Sequence, residues 1–273
     1  MIDYAEGSGK QYHIGVGPED IGKYVILPGD PARCPLIAEF FDDAKLVCTN
    51  REYTTYTGYL DGEKVSVMST GMGGPSIAIC LEELKRCGVH TGIRVGTCGG
   101  MHLDVCGGDI VIANGAIRME GTTREFAPIE YPAVPHPQVL GTMVWTAEDM
   151  EMKYHVGVVH CKDSFYGQHQ PELMPVASEL QYKWEAWLKM GCLGSEMESA
   201  ALFIVGDFLN MRVGTCLLAL ANQEREKRGL SNVQEHDIRP TIELAVETMR
   251  NLIKMDREKE KMVKRPNKKK DGK

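Results

Sequence analysis

Residues 93–100 read IRVGTCGG. Ile93 and Val95 flank Arg94 as β-formers do in a buried strand, and Gly96, Gly99 and Gly100 then turn the chain with bare backbone N–H groups. A permanent cation inside such a run costs several kcal/mol, roughly, unless something anionic meets it. Two partners would do so: a buried carboxylate from elsewhere in the chain, or an anionic ligand at the strand end.

Similar short β-rich runs recur at 23–27, 64–69, 109–113, 155–160 and 213–220, beside this one at 92–96. Helical patterns lie near 32–41, 75–87, 139–152, 178–189, 196–209 and 240–254. In 75–87, Pro75 suits a first helical turn, while Ile77, Leu81 and Leu84 repeat at helical spacing. The alternation predicts an α/β fold: one domain, three α/β/α layers, and a mixed, largely parallel central sheet. No repeat or linker-like composition divides the chain before residue 254. Residues 1–253 are therefore expected to form one domain. Ligands of such sheets bind at the C-terminal ends of the strands.

Composition narrows the classes. With 43% hydrophobic and 25% charged residues, the 273-residue chain is ordinary for a globular protein. Its nine cysteines are scattered and form no C-x-x-C, which argues against a disulfide framework or zinc knuckle and for reduced thiols in the cytoplasm. The N-terminus has no apolar signal region, and no 18-residue apolar run occurs, so no membrane partner is expected. The segment 254–273 holds ten Lys/Arg against four Asp/Glu and reads as a disordered or frayed basic tail. The preceding 253 residues carry 21 against 34, a poor platform for nucleic acid.

Three further stretches carry chemistry. In 27–33, LPGDPAR, Gly29 permits close backbone approach and Arg33 opens a helix, which together suit an anion; the plain alternative is a strand–helix turn with a surface arginine. In 69–76, STGMGGPS, the turn fails the G-x-G-x-x-G spacing because Ser76 stands where the third glycine belongs, so a dinucleotide cofactor is weakly supported. In 194–200, GSEMESA, Glu196 and Glu198 bracket Met197 at a strand-to-helix junction. They could accept hydrogen bonds from vicinal hydroxyls, or simply favour a first helical turn. Arg33, Arg51 and Arg94 could converge on one phosphate.

Eight stretches in order, YHIG, LPGDPAR, REYTTY, STGMGGPS, RVGTCGG, FAPIEYPAV, DSFYGQ and EMESAAL, make the chain from about Tyr12 to Leu252 resemble the nucleoside phosphorylase-I family, its uridine-cleaving branch above all. The resemblance implies a phosphate pocket of Gly29, Arg33, Arg51, Arg94 and Thr97, and ribose contacts from Glu196, Met197 and Glu198. It implies that His13 reaches the ribose of an adjacent subunit, and that Phe165 and Gln168 hold the base, with Arg94, Gln168 and Glu198 carrying the catalysis. Glu52, Met72 and Ser76 match a monovalent-cation (K⁺ or Na⁺) site between subunits of some members. The implied reaction is reversible phosphorolysis of uridine to uracil and ribose 1-phosphate, with phosphate as co-substrate and no cofactor, in a homo-oligomer, a hexamer built as a trimer of dimers.

The chain departs from the family pattern on the base side. Gln170 and Gln223 stand where the family usually has arginines, and one residue is missing after Tyr166. His169 or Arg225 are candidates to replace the lost charge. The stretch 218–223, LALANQ, lacks the acid that purine-specific relatives carry there, which disfavours purines. The rival readings are a phosphorylase for thymidine, deoxyuridine or a modified pyrimidine, a water-using nucleosidase, and a non-catalytic nucleoside-binding protein.

Overall fold

A computed structural model describes residues 7 and 9–263. Nine strands run β1 (Tyr24–Pro28), β2 (Asp42–Asn50), β3 (Tyr53–Leu60), β4 (Glu63–Met68), β5 (Thr91–Gly100), β6 (Ile110–Met119), β7 (Tyr154–Lys162), β8 (Gly194–Glu196) and β9 (Arg212–Asn222). The α-helices are α1 (Arg33–Ala38), α2 (Gly74–Arg86), α3 (Pro137–Asp149), α4 (Phe165–His169), α5 (Ala177–Lys189), α6 (Ser199–Phe208), α7 (Gln223–Lys227) and α8 (Arg239–Val263).

The strands form one mixed sheet in the order β2-β3-β4-β1-β5-β8-β7-β6-β9. Parallel pairs join β1 to β4 and β5, β6 to β7, and β7 to β8. The α/β class and mixed sheet match the sequence reading. The sheet is not open throughout, because β5 also pairs in parallel with β9 and so closes β5, β8, β7, β6 and β9 into a ring. Apolar clusters fill both faces. Ile77, Leu81 and Leu84 of α2 join Ala201, Leu202 and Val205 of α6 on one side. Ile37 of α1, Val139 and Met143 of α3, and Ile242, Met249 and Leu252 of α8 fill the other.

The boundary expected at residue 253 falls inside a helix. Helix α8 continues to Val263, so residues 254–263 are not a frayed tail. Met249, Leu252 and Ile253 face inward, and the next position on that stripe is Asp256 rather than an apolar residue. Its carboxylate accepts from Tyr24 Oη at 2.8 Å and from Arg212 Nη1 at 2.9 Å, while Arg257 donates to Glu63 Oε2 at 3.1 Å. The remaining expected tail, 264–273, lies outside the described residues.

Candidate active site

The carboxyl ends of β1, β4, β5, β7, β8 and β9 carry the loops that the sequence singled out. The first two are stitched together by backbone: Thr70 N–H donates to Pro28 O at 2.8 Å and Gly71 N–H to Gly29 O at 3.0 Å. Gly73 sits at φ +86°, a backbone setting that suits glycine, and so turns its N–H onto Glu198 Oε1 at 2.7 Å. Glu198 Oε2 receives Arg94 Nη2. One carboxylate therefore ties the β4–α2 loop to β5 and to the start of α6.

Arg94 is 4% exposed. Its guanidinium lies over Gly96, where a Cβ would come within 1.7 Å of Nη1, so only glycine leaves room for it. Glu196 Oε2 stands 3.8 Å from Nη1. Burial opposes the charge on Arg94, but Glu198 and Glu196 outweigh it and hold the guanidinium cationic. The buried-carboxylate answer to the opening question is thus correct as far as it goes. It is incomplete, because Arg94 Nε and Nη1 are buried with no hydrogen-bond partner. A buried donor without a partner costs about 1–3 kcal/mol, which an anionic ligand would recover.

Arg33 belongs to the same field. Burial lowers its pKa and the Arg94 charge lowers it further, against Asp30 and Glu198, which raise it. The Arg94 charge is thus felt at Arg33. Thr97 lies three residues beyond Arg94 at the same end of β5 and is partly exposed. Glu196 accepts from Glu198 N–H at 2.9 Å and from Ser199 N–H at 2.9 Å, capping α6 with negative charge. Burial raises its pKa above the usual carboxylate range, with Arg94 opposing and Glu198 reinforcing. Met197, between the two acids, is half-buried.

His13 and Arg51 are not gathered into this cluster. Glu83 of α2 takes His13 Nδ1 at 2.7 Å together with its backbone N–H. Arg51, at the β2–β3 turn with φ +56°, holds its guanidinium 5.5 Å from the Tyr12 ring centre. Asn50 Nδ2 donates to His13 O at 2.8 Å, so His13 and Arg51 share one edge of the molecule. Ser76 Oγ donates to Glu52 Oε1 at 2.9 Å, and Met72 is exposed on the same loop. Those oxygens suit a hard monovalent cation; the Met72 thioether does not, which leaves only its backbone carbonyl as a donor.

On the base side, a cavity of about 950 Å³ is lined by Lys162, Gln168, His169, Gln223, Trp184 and Trp187 among others. It does not include Arg94 or Glu198; β8 links the two regions, since Ser195 meets Gln168 and Glu196 meets Arg94. Gln168 is buried, with Oε1 accepting from Ser195 Oγ at 2.6 Å and Nε2 lying 3.4 Å from Gln223 Oε1. Phe165 is half exposed, its ring centre 4.5 Å from that of His169. Gln170 is exposed and terminates α4.

Neither candidate for the missing positive charge takes that part. Burial, then the charge of Lys162, lowers the His169 pKa, and Arg225 donates to the backbone carbonyls of Leu103 and Ser231. Three lysines line the cavity: Lys183 and Lys227 pair with Glu179 and Glu224, while Lys162, which the sequence reading missed, is the buried one. It could have been found: Lys162 ends the apolar run 154–162 as Arg94 interrupts 91–100. The reading passed over it because the family motif begins at Asp163.

Buried Arg94 with its two acids, and the amide-lined cavity beyond β8, thus lie at the carboxyl ends of strands of one mixed sheet. The sequence profile of the phosphorylase superfamily matches residues 23–254, and the chain belongs to that family. It is 54% identical over 246 residues to uridine phosphorylase of Treponema pallidum, covering 90% of this chain and 95% of that one. It is 37% identical to uridine phosphorylase of Thermococcus kodakarensis over 94% of this chain and 92% of the relative. It is also 38% identical to a guanosine phosphorylase of Halorubrum lacusprofundi over 75% of this chain and 80% of the relative. Among the described residues no helix is long and apolar enough to cross a membrane.

Proposed function

We propose that the protein is a uridine phosphorylase, cleaving uridine with inorganic phosphate to give uracil and ribose 1-phosphate, reversibly. The observation that carries this reading is Arg94: a cation beside Arg33 with two buried donors unused, set against two acids and next to an amide-lined cavity. Arg33 and Arg94, with the Gly29 backbone and Thr97, hold phosphate beneath C1′ of the sugar, and positioning supplies much of the rate. Glu198, with Met197 and Glu196 behind it, accepts from the ribose hydroxyls and orients the ring. Phe165 packs on the pyrimidine. The Gln168 amide N–H donates to a carbonyl oxygen that gains negative charge as the glycosidic bond breaks. Gln170 ends α4 at the surface, and Gln223 Oε1 lies 3.4 Å from Gln168 Nε2.

His13 and Arg51, adjacent on one edge, complete the site of a neighbouring copy, in a hexamer built as a trimer of dimers. A K⁺ or Na⁺ ion at Glu52 and Ser76 is structural in this reading, and phosphate is the only co-reactant. The enzyme works in the cytoplasm, as its reduced thiols suggest.

The test is release of free base from uridine, thymidine and inosine, with and without phosphate. Uracil release that requires phosphate and exceeds hypoxanthine release at least about a hundredfold is expected. Equal release without phosphate would make it a nucleosidase. The glutamines at 170 and 223 and the guanosine phosphorylase relative favour one second reading, a phosphorylase for another base, which the same panel separates.

A further inference from the structure

Lys162 is a buried lysine that the mechanism above does not use; burial lowers its pKa, and the neighbouring Glu196 charge opposes that and favours the ammonium. It is 7% exposed, at the carboxyl end of β7, in a site that lacks both of the family's base-side arginines. Its Nζ donates to Ser195 Oγ at 2.8 Å and approaches Glu196 O at 3.5 Å. Ser195 Oγ also lies 2.6 Å from Gln168 Oε1 and 2.9 Å from His160 Nδ1.

Proton counting fixes every direction in this cluster. Gln168 Oε1 can only accept, and the Lys162 ammonium can only donate. Ser195 has one proton, so it donates to Gln168 and accepts from both Lys162 and His160. His160 must then carry its proton on Nδ1. Burial, with help from the Lys162 charge, pushes the His160 pKa down to about 3, so the ring is neutral and supplies a hydrogen bond without a second charge. The Gln168 carbonyl is consumed by this chain of bonds, which leaves the amide NH₂ turned away from Ser195. Its Nε2 meets only the long 3.4 Å contact with Gln223 Oε1. A positive charge at the far end of Lys162–Ser195–Gln168 draws electron density from the amide and makes its N–H a stronger donor.

We propose that Lys162 is the positioning residue that stabilises the departing base, acting through Ser195 on the Gln168 amide in place of the missing arginines. The proposal rests on the phosphorolysis reading. A lysine that only neutralises Glu196 would serve all nucleosides alike. A lysine that works through the leaving base matters most when that base carries negative charge poorly.

The experiment compares uridine with 5-fluorouridine, whose fluorinated base bears negative charge more readily, in the intact enzyme and in Lys162→Met. The expected result is a fall of about a hundredfold in kcat/KM for uridine and of about tenfold or less for 5-fluorouridine, with the phosphate KM within about twofold of the parent. Equal falls for the two nucleosides would overturn the proposal. Should Lys162→Met not fold, Ser195→Ala cuts the same connection while keeping the charge; it should show the same discrimination, and unchanged uridine turnover would overturn the proposal. Failure of the parent enzyme to release uracil would instead refute the uridine reading, so the two failures are distinguishable.

Discussion

Arg94→Ala lowers kcat/KM for uridine about a thousandfold or more, because it removes the charge and both unused donors from the proposed phosphate site. The loss falls on phosphate-dependent turnover, since Gln168 and the cavity are left in place. The same change also destabilises the fold. Glu196 and Glu198 both face Arg94 across buried contacts, and stranding a buried charge costs about 3–5 kcal/mol. The pH dependence of that second effect has a definite sign. Glu196 already sits above the usual carboxylate range through burial, and losing Arg94 raises it further. The folded variant then binds more protons than the unfolded chain. Its stability rises as pH falls through the raised value and levels off below the unfolded one. Thermal melts of Arg94→Ala at pH 5 and pH 8, read against the parent, check this: the melting-temperature deficit should be smaller at pH 5. A deficit that grows at pH 5 would mean the acids do not depend on Arg94.

Gly96→Ala reaches nearly the same loss of activity by one methyl group. The added Cβ would lie 1.7 Å from Arg94 Nη1 and 2.8 Å from Leu217 Cδ2. Gly96 has no positive φ, so alanine brings no backbone strain, and what yields is the guanidinium. With the arginine displaced from a space 4% exposed, kcat/KM should drop about a hundredfold or more. Phosphate affinity should weaken along with turnover, as steady-state kinetics at varied phosphate would show. An active Gly96→Ala would mean that the position of Arg94 does not matter to the reaction. Together the two variants separate charge from placement.

How much of this was legible in the sequence depends on the range of the interactions involved. Six strands and six helices announce themselves by local periodicity, and α2 does so with Pro75, Ile77, Leu81 and Leu84. Strands β2 and β3 escaped because β2 has mostly exposed or half-buried residues, a left-handed Asp43, and two register shifts against β3, so no clean alternation survives. Ring closure was illegible for a different reason. The pairing of β5 with β9 joins residues more than 100 apart, and nothing local to either strand records it. Helix α8 was cut short because Asp256 interrupts the apolar stripe while still facing inward to Tyr24 and Arg212.

The site divides in the same way. Arg94 was conspicuous as a charge among β-formers, and its acids were visible at Glu196 and Glu198, but that Glu198 would meet both Arg94 and Gly73 is a fact of the closed sheet. Arg51 and His13 carry the right chemistry, yet their own chain holds them against Tyr12 and Glu83. Lys162 gave the same signal as Arg94 and was passed over because it adjoins, rather than lies within, a recognised stretch.

The most direct test is a crystal structure determined with phosphate. The account predicts one anion within about 2.7–3.2 Å of both Arg94, at Nε or Nη1, and the Arg33 guanidinium, above the Gly29 loop. An anion bound elsewhere, or none while Arg94 Nε and Nη1 still lack partners, would contradict it.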